Sequence, residues 1–328
     1  MNDFSRRWVN LASSRLGARA LSCNDEFFAP MERMLNDRPP VFIDGKYDDH
    51  GKWMDGWETR RRRQPGHDWC IVKLARPGVI HGIEIDTTHF TGNYPPAASM
   101  DACVLDGQDP DENTPWHPLL EKQDLQGDSQ HRFAVNNPAP FTHIRVNIYP
   151  DGGIARLRVF AEPRVDWEKF PQGHLVDLAA SLNGGVAMAC NNEHYGSVQN
   201  ILAPGRGINM GDGWETRRRR EPGHDWVVIA LARPGIVRRI EVDTAHFKGN
   251  YPDTCSVQAT PLDLDHSLSV ETLSESWNEL LPSVKLRADS QHRFTDEIRE
   301  IGAVRYVRLN IYPDGGISRL RMFAEIGK

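Results

Sequence analysis

The chain has 328 residues, 39% of them apolar and 26% charged, with a formal net charge of −6. That length suits two domains, each large enough for its own core, and the acidic balance offers no overall attraction to nucleic acid or anionic membranes. No apolar stretch approaches transmembrane length, and Met1-Asn-Asp-Phe-Ser-Arg-Arg-Trp-Val-Asn-Leu-Ala12 lacks the unbroken apolar run of a secretory signal.

Helical periodicity is weak in the first half, and its best candidate lies around Glu26–Leu35. A polar block follows, Asp55-Gly-Trp-Glu-Thr-Arg-Arg-Arg-Arg-Gln-Pro-Gly-His-Asp-Trp69, leading into an apolar strand at Cys70-Ile-Val72. Ala75-Arg-Pro-Gly78 reads as a turn between strands. Ile83-Glu-Ile-Asp86 alternates apolar and polar residues, and so do Ile144-Arg-Val-Asn-Ile148 and Arg156-Leu-Arg-Val-Phe160. Such alternation is the mark of half-buried antiparallel strands. Gly92-Asn-Tyr-Pro95 and Pro150-Asp-Gly-Gly153 punctuate them as turns, the latter needing positive φ. Pro163–Gly173 is a Pro-bounded polar stretch that suits a boundary.

Beyond that boundary the pattern returns. The polar block recurs, with one change, at Asp212–Trp226, and Ala232-Arg-Pro-Gly235, Ile240-Glu-Val-Asp243, Gly249-Asn-Tyr-Pro252, Val307-Arg-Leu-Asn-Ile311 and Pro313-Asp-Gly-Gly316 follow in the same order. Leu21-Ser-Cys-Asn-Asp-Glu26 is more faintly matched by Met188-Ala-Cys-Asn-Asn-Glu193, and His194–Leu202 is the matching helical candidate. A period this long means two domains, not a solenoid of short units. The expected division is a first repeat over 1–162, a linker over 163–174 and a second repeat over 175–328. Several short strands per repeat, with Gly and Pro punctuation, make the chain all-β, two tandem jelly-roll β-sandwiches with the polar block in a loop.

The apolar residues after the block have drifted between the copies, whereas the charged residues have not. Cores tolerate volume-conserving swaps, and a charged loop has no comparable packing reason to stay fixed, so the block is the candidate site. Within it, Arg60 and Arg62, with Arg217 and Arg219, can clamp a carboxylate by paired hydrogen bonds; the competing reading is a solvated face paired with local acids. Glu58, Asp68, Glu215 and Asp225 are candidate bases, and His67 and His224 candidate acids near neutral pH. His89 and His246, on expected strands, join the binding set, and Asn93 and Asn250 can offer amide groups to a ureido ligand. No tight metal-binding spacing occurs, so neither a metal nor a cofactor is expected. The five cysteines, Cys23, Cys70, Cys103, Cys190 and Cys255, lack CxxC spacing and read as reduced cytoplasmic thiols.

The combination of Asp-Gly-Trp-Glu-Thr-Arg-Arg-x-Arg, Gly-His-Asp-Trp, Asp-Thr-x-His-Phe-x-Gly-Asn-Tyr-Pro and Tyr-Pro-Asp-Gly-Gly-Ile-x-Arg-Leu-Arg, each present twice, closely resembles the allantoicase (allantoate amidinohydrolase) family. Leu11-Ala-Ser13 and Asn24-Asp-Glu-Phe-Phe28 are similar to that family's N-terminal region. The resemblance spans practically the whole chain. It implies hydrolysis of allantoate to ureidoglycolate and urea in purine and allantoin breakdown, galactose-binding or discoidin-like jelly rolls, and a homo-oligomer; the acidic balance separately argues against a nucleic-acid or membrane partner. The Glu58–Asp68 loop and the His89–Asn93 turn would then share a pocket, alone or completed by the other repeat or a neighbouring subunit. A rival reading from the fold is a non-catalytic carbohydrate- or small-ligand-binding protein, with Trp57, Trp214, Trp69 and Trp226 stacking on sugar rings.

Overall fold

The computed structural model describes residues 3–261 and 269–327. The chain divides into two compact units, Met1–Arg164 and Val165–Lys328. In the first, the 19-residue strand Asp68–Asp86 is the spine of a β-sandwich. Its N-terminal half lies in one layer, in the order Arg19–Cys23, Asp68–Asp86, Pro140–Tyr149, Ala97–Cys103, His117–Asp124. Its C-terminal half lies in the other, in the order Val9–Asn10, Arg156–Pro163, Asp68–Asp86, Gln130–Ala134. Every pairing is antiparallel. The second unit repeats the arrangement around Asp225–Asp243, which shares one layer with Val186–Cys190 and Val304–Tyr312 and the other with Arg319–Glu325 and Gln291–Phe294.

The two-residue alternation holds where it was read. Ile144, Val146 and Ile148 are fully buried, facing the core as a period of two requires. Asn147, on the opposite face, is nevertheless buried, because its amide donates to Ser99 Oγ at 3.1 Å and Asp101 Oδ2 at 2.9 Å. Ala75–Gly78 is not a turn: it lies inside the long strand, where that strand passes from one layer to the other. No reversal occurs because the segment is held extended by strand pairing, with Gly78 opposite Phe141 on one side and Pro163 on the other, and a Cβ on Gly78 would lie 2.6 Å from Leu11 Cδ1. The helical candidates reduce to single 3-10 segments, Met31–Leu35 and Val198–Leu202. The residues before the first are drawn into a bridge between Ala29 and Glu58, and Gly196 bridges Glu215 before the second. The segment expected as a linker contains the 3-10 turn Trp167–Lys169, and Trp167 and Phe170 pack on the second unit's core.

Gly152 closes the loop after the cis Tyr149–Pro150 bond, with φ +140°. A Cβ there would stand 2.5 Å from the Pro95 nitrogen, and backbone atoms cannot yield as a flexible side chain can. Gly152→Ala should therefore cost roughly 2 kcal/mol or more. Thermal unfolding would show it as a fall in Tm of several degrees; an unchanged Tm would contradict the close packing of this loop.

Candidate active site

The site is built on a buried ion pair. Arg156, fully buried on the strand Arg156–Pro163, donates from Nη2 to Asp55 Oδ2 at 2.6 Å and from Nη1 to the Asp55 carbonyl at 2.9 Å. Its Nε bonds the Arg38 carbonyl at 2.8 Å. Arg319 does the same to Asp212, at 2.7 Å to Oδ2 and 2.6 Å to the carbonyl. Gly56 allows the next step: a Cβ there would lie 2.3 Å from the Ile154 carbonyl oxygen. Trp57 then fills the core with no exposure, its indole donating to the Asp25 carbonyl at 2.9 Å. Trp214 does so to Asn192 at 2.8 Å, so neither is available to stack on a sugar.

With the tryptophan fixed, Glu58 enters a short pairing with Gly153. The residue is 9% exposed, and its Oε1 accepts from Asn93 Nδ2 at 2.7 Å. Burial pushes its pKa up, and Asp48 adds to that, against the Asn93 hydrogen bond. In the second unit, Asn250 Nδ2 donates to Glu215 Oε1. The sequence thus pairs the expected base with the expected amide in both halves.

The arginine run divides its work. Arg62 donates from Nε and Nη2 to Asp68 Oδ1 at 3.1 and 2.8 Å, and its backbone N–H donates to Asp151 Oδ2 at 2.8 Å. Arg219 bonds Asp225 Oδ1 at 2.5 Å and Asp314 Oδ2, through its N–H, at 2.9 Å. Asp68 and Asp225 are almost wholly buried, and Asn24 and Asn191 each donate to them as well. Arg60 is exposed and turns to Asp25, with Nε 2.6 Å from Oδ2. Arg61, Arg63, Arg217, Arg218 and Arg220 are exposed and form no ion pair among the described residues.

His67 lies against the Tyr149 ring, with centroids 4.7 Å apart. His224 lies likewise against Tyr312 and hydrogen-bonds Asn310 Oδ1 through Nε2 at 3.1 Å. Burial lowers the pKa of His224, so it is a neutral Nε2–H donor at neutral pH. His89 and His246 do not sit on strands. They lie beyond the strand ends at φ 71° and 72°, held by Asp128 and Asp289, with Nε2 on the Pro40 and Gly207 carbonyls. The Asp128 and Asp289 carboxylates support that left-handed backbone through the histidine N–H groups, at 2.8 and 2.7 Å.

Sequence reasoning passed over Asn24, Asp25, Asp55, Thr59, Asp151 and Arg156. The signal was available for all but Asp25, because each of the others is identical at the matching position of the second repeat. Charge also persists for packing: Arg156 is buried against Asp55, and Arg62 is joined to the buried Asp68. No group of three or more His, Cys, Asp or Glu among the described residues is arranged to hold a metal.

A family model described as "Allantoicase repeat" matches residues 9–164 and 176–327. A "Probable allantoicase 2" of Burkholderia pseudomallei (strain K96243) is 58% identical over 323 residues, covering 98% of this chain and 96% of that protein. A "Probable allantoicase" of Pseudomonas aeruginosa (strain UCBPP-PA14) is 52% identical over 320 residues, covering 98% of this chain and 96% of that protein. The crystal structure of allantoicase from Saccharomyces cerevisiae superimposes with a TM-score of 0.81 at 36% identity, covering 96% of this chain and 92% of that one.

The Asp25 carboxylate has a pH signature. Burial raises its pKa, but N–H bonds from Phe27 and Arg60 and the Arg60 guanidinium outweigh burial and lower it. A depressed carboxylate contributes stability above its unfolded pKa, and loses it as pH falls through the folded value. Asp25→Asn should cost at most about 1 kcal/mol at pH 7, since Arg60 is exposed. Urea unfolding at pH 7 and below pH 4 should show that difference shrinking in acid; a constant difference would mean the charge contributes nothing.

Proposed function

This chain belongs to the allantoicase family and hydrolyses allantoate to ureidoglycolate and urea, a step of allantoin degradation, and we propose that the chemistry runs at the Glu58–Asn93 and Glu215–Asn250 pairs. The reaction breaks a C–N bond at a carbon that carries a carboxylate and two ureido groups. A proton must reach the leaving urea nitrogen, and water must lose one as it adds to the imine-like carbon left behind. One water is consumed and one urea released. The raised pKa of the Glu58 carboxyl suits both transfers: as the acid it protonates the leaving nitrogen, and as the carboxylate it takes the proton from water. The carrying observation is the buried Glu58 side chain held by the Asn93 amide; the hydrogen bond, though not the burial, is repeated by the half-buried Glu215 and Asn250.

Asn93 and Asn250 then also face the ureido groups, and Arg60 or Arg217 takes the substrate carboxylate. His67 and His224 stand as the second proton-transfer pair. Arg62–Asp68 and Arg219–Asp225, expected as clamp and base, hold the loop in register instead, because each arginine is already engaged by a buried carboxylate. A homo-oligomer in the cytoplasm belongs to the same proposal. The five cysteines are free, and burial pushes Cys23 and Cys255 up to about 12, which suits thiols that stay reduced. No helix among the described residues is long and apolar enough to cross a membrane. A sugar-binding role is disfavoured by the burial of Trp57 and Trp214.

The double variant Glu58→Gln/Glu215→Gln keeps the shape and removes the titrating groups. Urea release from allantoate should fall about 100-fold or more in kcat, with the unfolding midpoint close to that of the parent. Near-normal turnover by this variant would remove these glutamates from the chemistry.

A further inference from the structure

The two repeats present the carboxylate-binding arginine in different electrostatic states. In the first, Asp25 sits beneath it: Oδ1 accepts from the Arg60 N–H at 3.1 Å, and Oδ2 from Nε at 2.6 Å. In the second, Asn192 occupies the same place, with its Oδ1 accepting from the Arg217 N–H at 2.9 Å. The surrounding scaffold is otherwise held in common. The indoles of Trp57 and Trp214 donate to the carbonyls of Asp25 and Asn192 at 2.9 and 2.8 Å. Asn24 and Asn191 precede them and accept from Trp69 N and Trp226 N, both at 2.8 Å. The chain has thus made its own isosteric comparison, replacing a carboxylate by an amide at one position of a shared frame.

A second contact separates the copies. The Arg60 guanidinium lies 5.3 Å from the Phe27 ring centroid, and that ring stacks on His50 at 4.5 Å. In the second repeat, His194 stands where Phe27 does and packs edge-on against Tyr195 at 4.2 Å, as Phe27 does against Phe28 at 5.1 Å, so the guanidinium contact is what differs. Arg217 has neither an ion pair nor an aromatic ring beneath it among the described residues.

We propose that Arg217 is the guanidinium that holds the substrate carboxylate, and that Arg60 is occupied by the chain's own carboxylate, Asp25. The inference rests on the reading that this arginine position meets the carboxylate of allantoate, and it assigns that role to the second repeat. The reason is charge. An anion approaching Arg60 meets the repulsion of Asp25 over nearly the same distance as the attraction of the guanidinium, and the two largely cancel. At Arg217 no such carboxylate opposes the attraction, and the guanidinium can grip a carboxylate with two parallel N–H bonds.

The test is steady-state urea release from allantoate by the full chain. Asn192→Asp, which gives the second repeat the first repeat's carboxylate, should raise KM about tenfold while kcat changes less than about threefold. Asn192→Ser, which changes the side chain without adding charge, should raise KM much less, and equal effects of the two would overturn the electrostatic argument. Arg217→Ala should raise KM well beyond Arg60→Ala. A larger KM rise in Arg60→Ala, with Asn192→Asp at the parental value, would overturn the assignment and place the role in the first repeat. Parental KM in both arginine variants would instead refute the underlying reading, that this position holds the carboxylate.

Discussion

Buried charge, not only apolar packing, holds each half of this enzyme in shape. Taking Arg156 and Asp55 out of water is costly, and their attraction offsets that cost only because the remaining donors also find acceptors. Arg156 meets that condition with hydrogen bonds to Asp55 and to the carbonyls of Arg38 and Ala155. Cutting such a pair on one side leaves an uncompensated charge, at roughly 3–5 kcal/mol. Its position matters as much as its strength. It anchors Asp55 to the strand Arg156–Pro163, so Trp57 enters the core two residues later and Glu58 comes to Asn93. Arg319 and Asp212 impose the same order on the second half.

Much of this was legible in the residues, for identifiable reasons. Ile144, Val146 and Ile148 show their burial by alternation, because a strand has a period of two whatever surrounds it. The duplicated Glu58 and Asn93 stand out by type as a candidate base and a candidate amide, and a hydrogen bond joins them. Ala75–Gly78 misled because Pro-Gly marks a local backbone preference, whereas the long strand is held on either side by partners far away in sequence. The arginine run misled in a different way. Arg60 and Arg62 look equivalent at a spacing of two, yet one reaches back to Asp25 and the other forward to Asp68. Only the fold decides which acid each finds.

Duplication followed by local divergence accounts for the differences between halves. The first unit carries the hairpin Tyr47–Asp48 with Gly51–Lys52 between its 3-10 segment and Trp57, whereas the second reaches Trp214 through the short turn Met210–Asp212. In the second unit the helix Val270–Ser274 meets Arg308, whose Nη1 donates to Ser274 Oγ at 2.8 Å. Its counterpart Arg145 turns to Asp101 at 2.8 Å. The sandwich, the Arg156–Asp55 and Arg319–Asp212 pairs and the Arg62–Asp68 and Arg219–Asp225 pairs persist across the copies, so the fold tolerates these changes, while Asp25 and Asn192 alter the charge offered to an anionic ligand without altering the frame.

A crystal structure of the Glu58→Gln/Glu215→Gln protein soaked with allantoate would bring these statements together in one electron-density map. The ligand carboxylate should lie on Arg217, with a ureido group against Asn250 and the reacting carbon beside position 215. Allantoate bound away from both glutamate–asparagine pairs would contradict it.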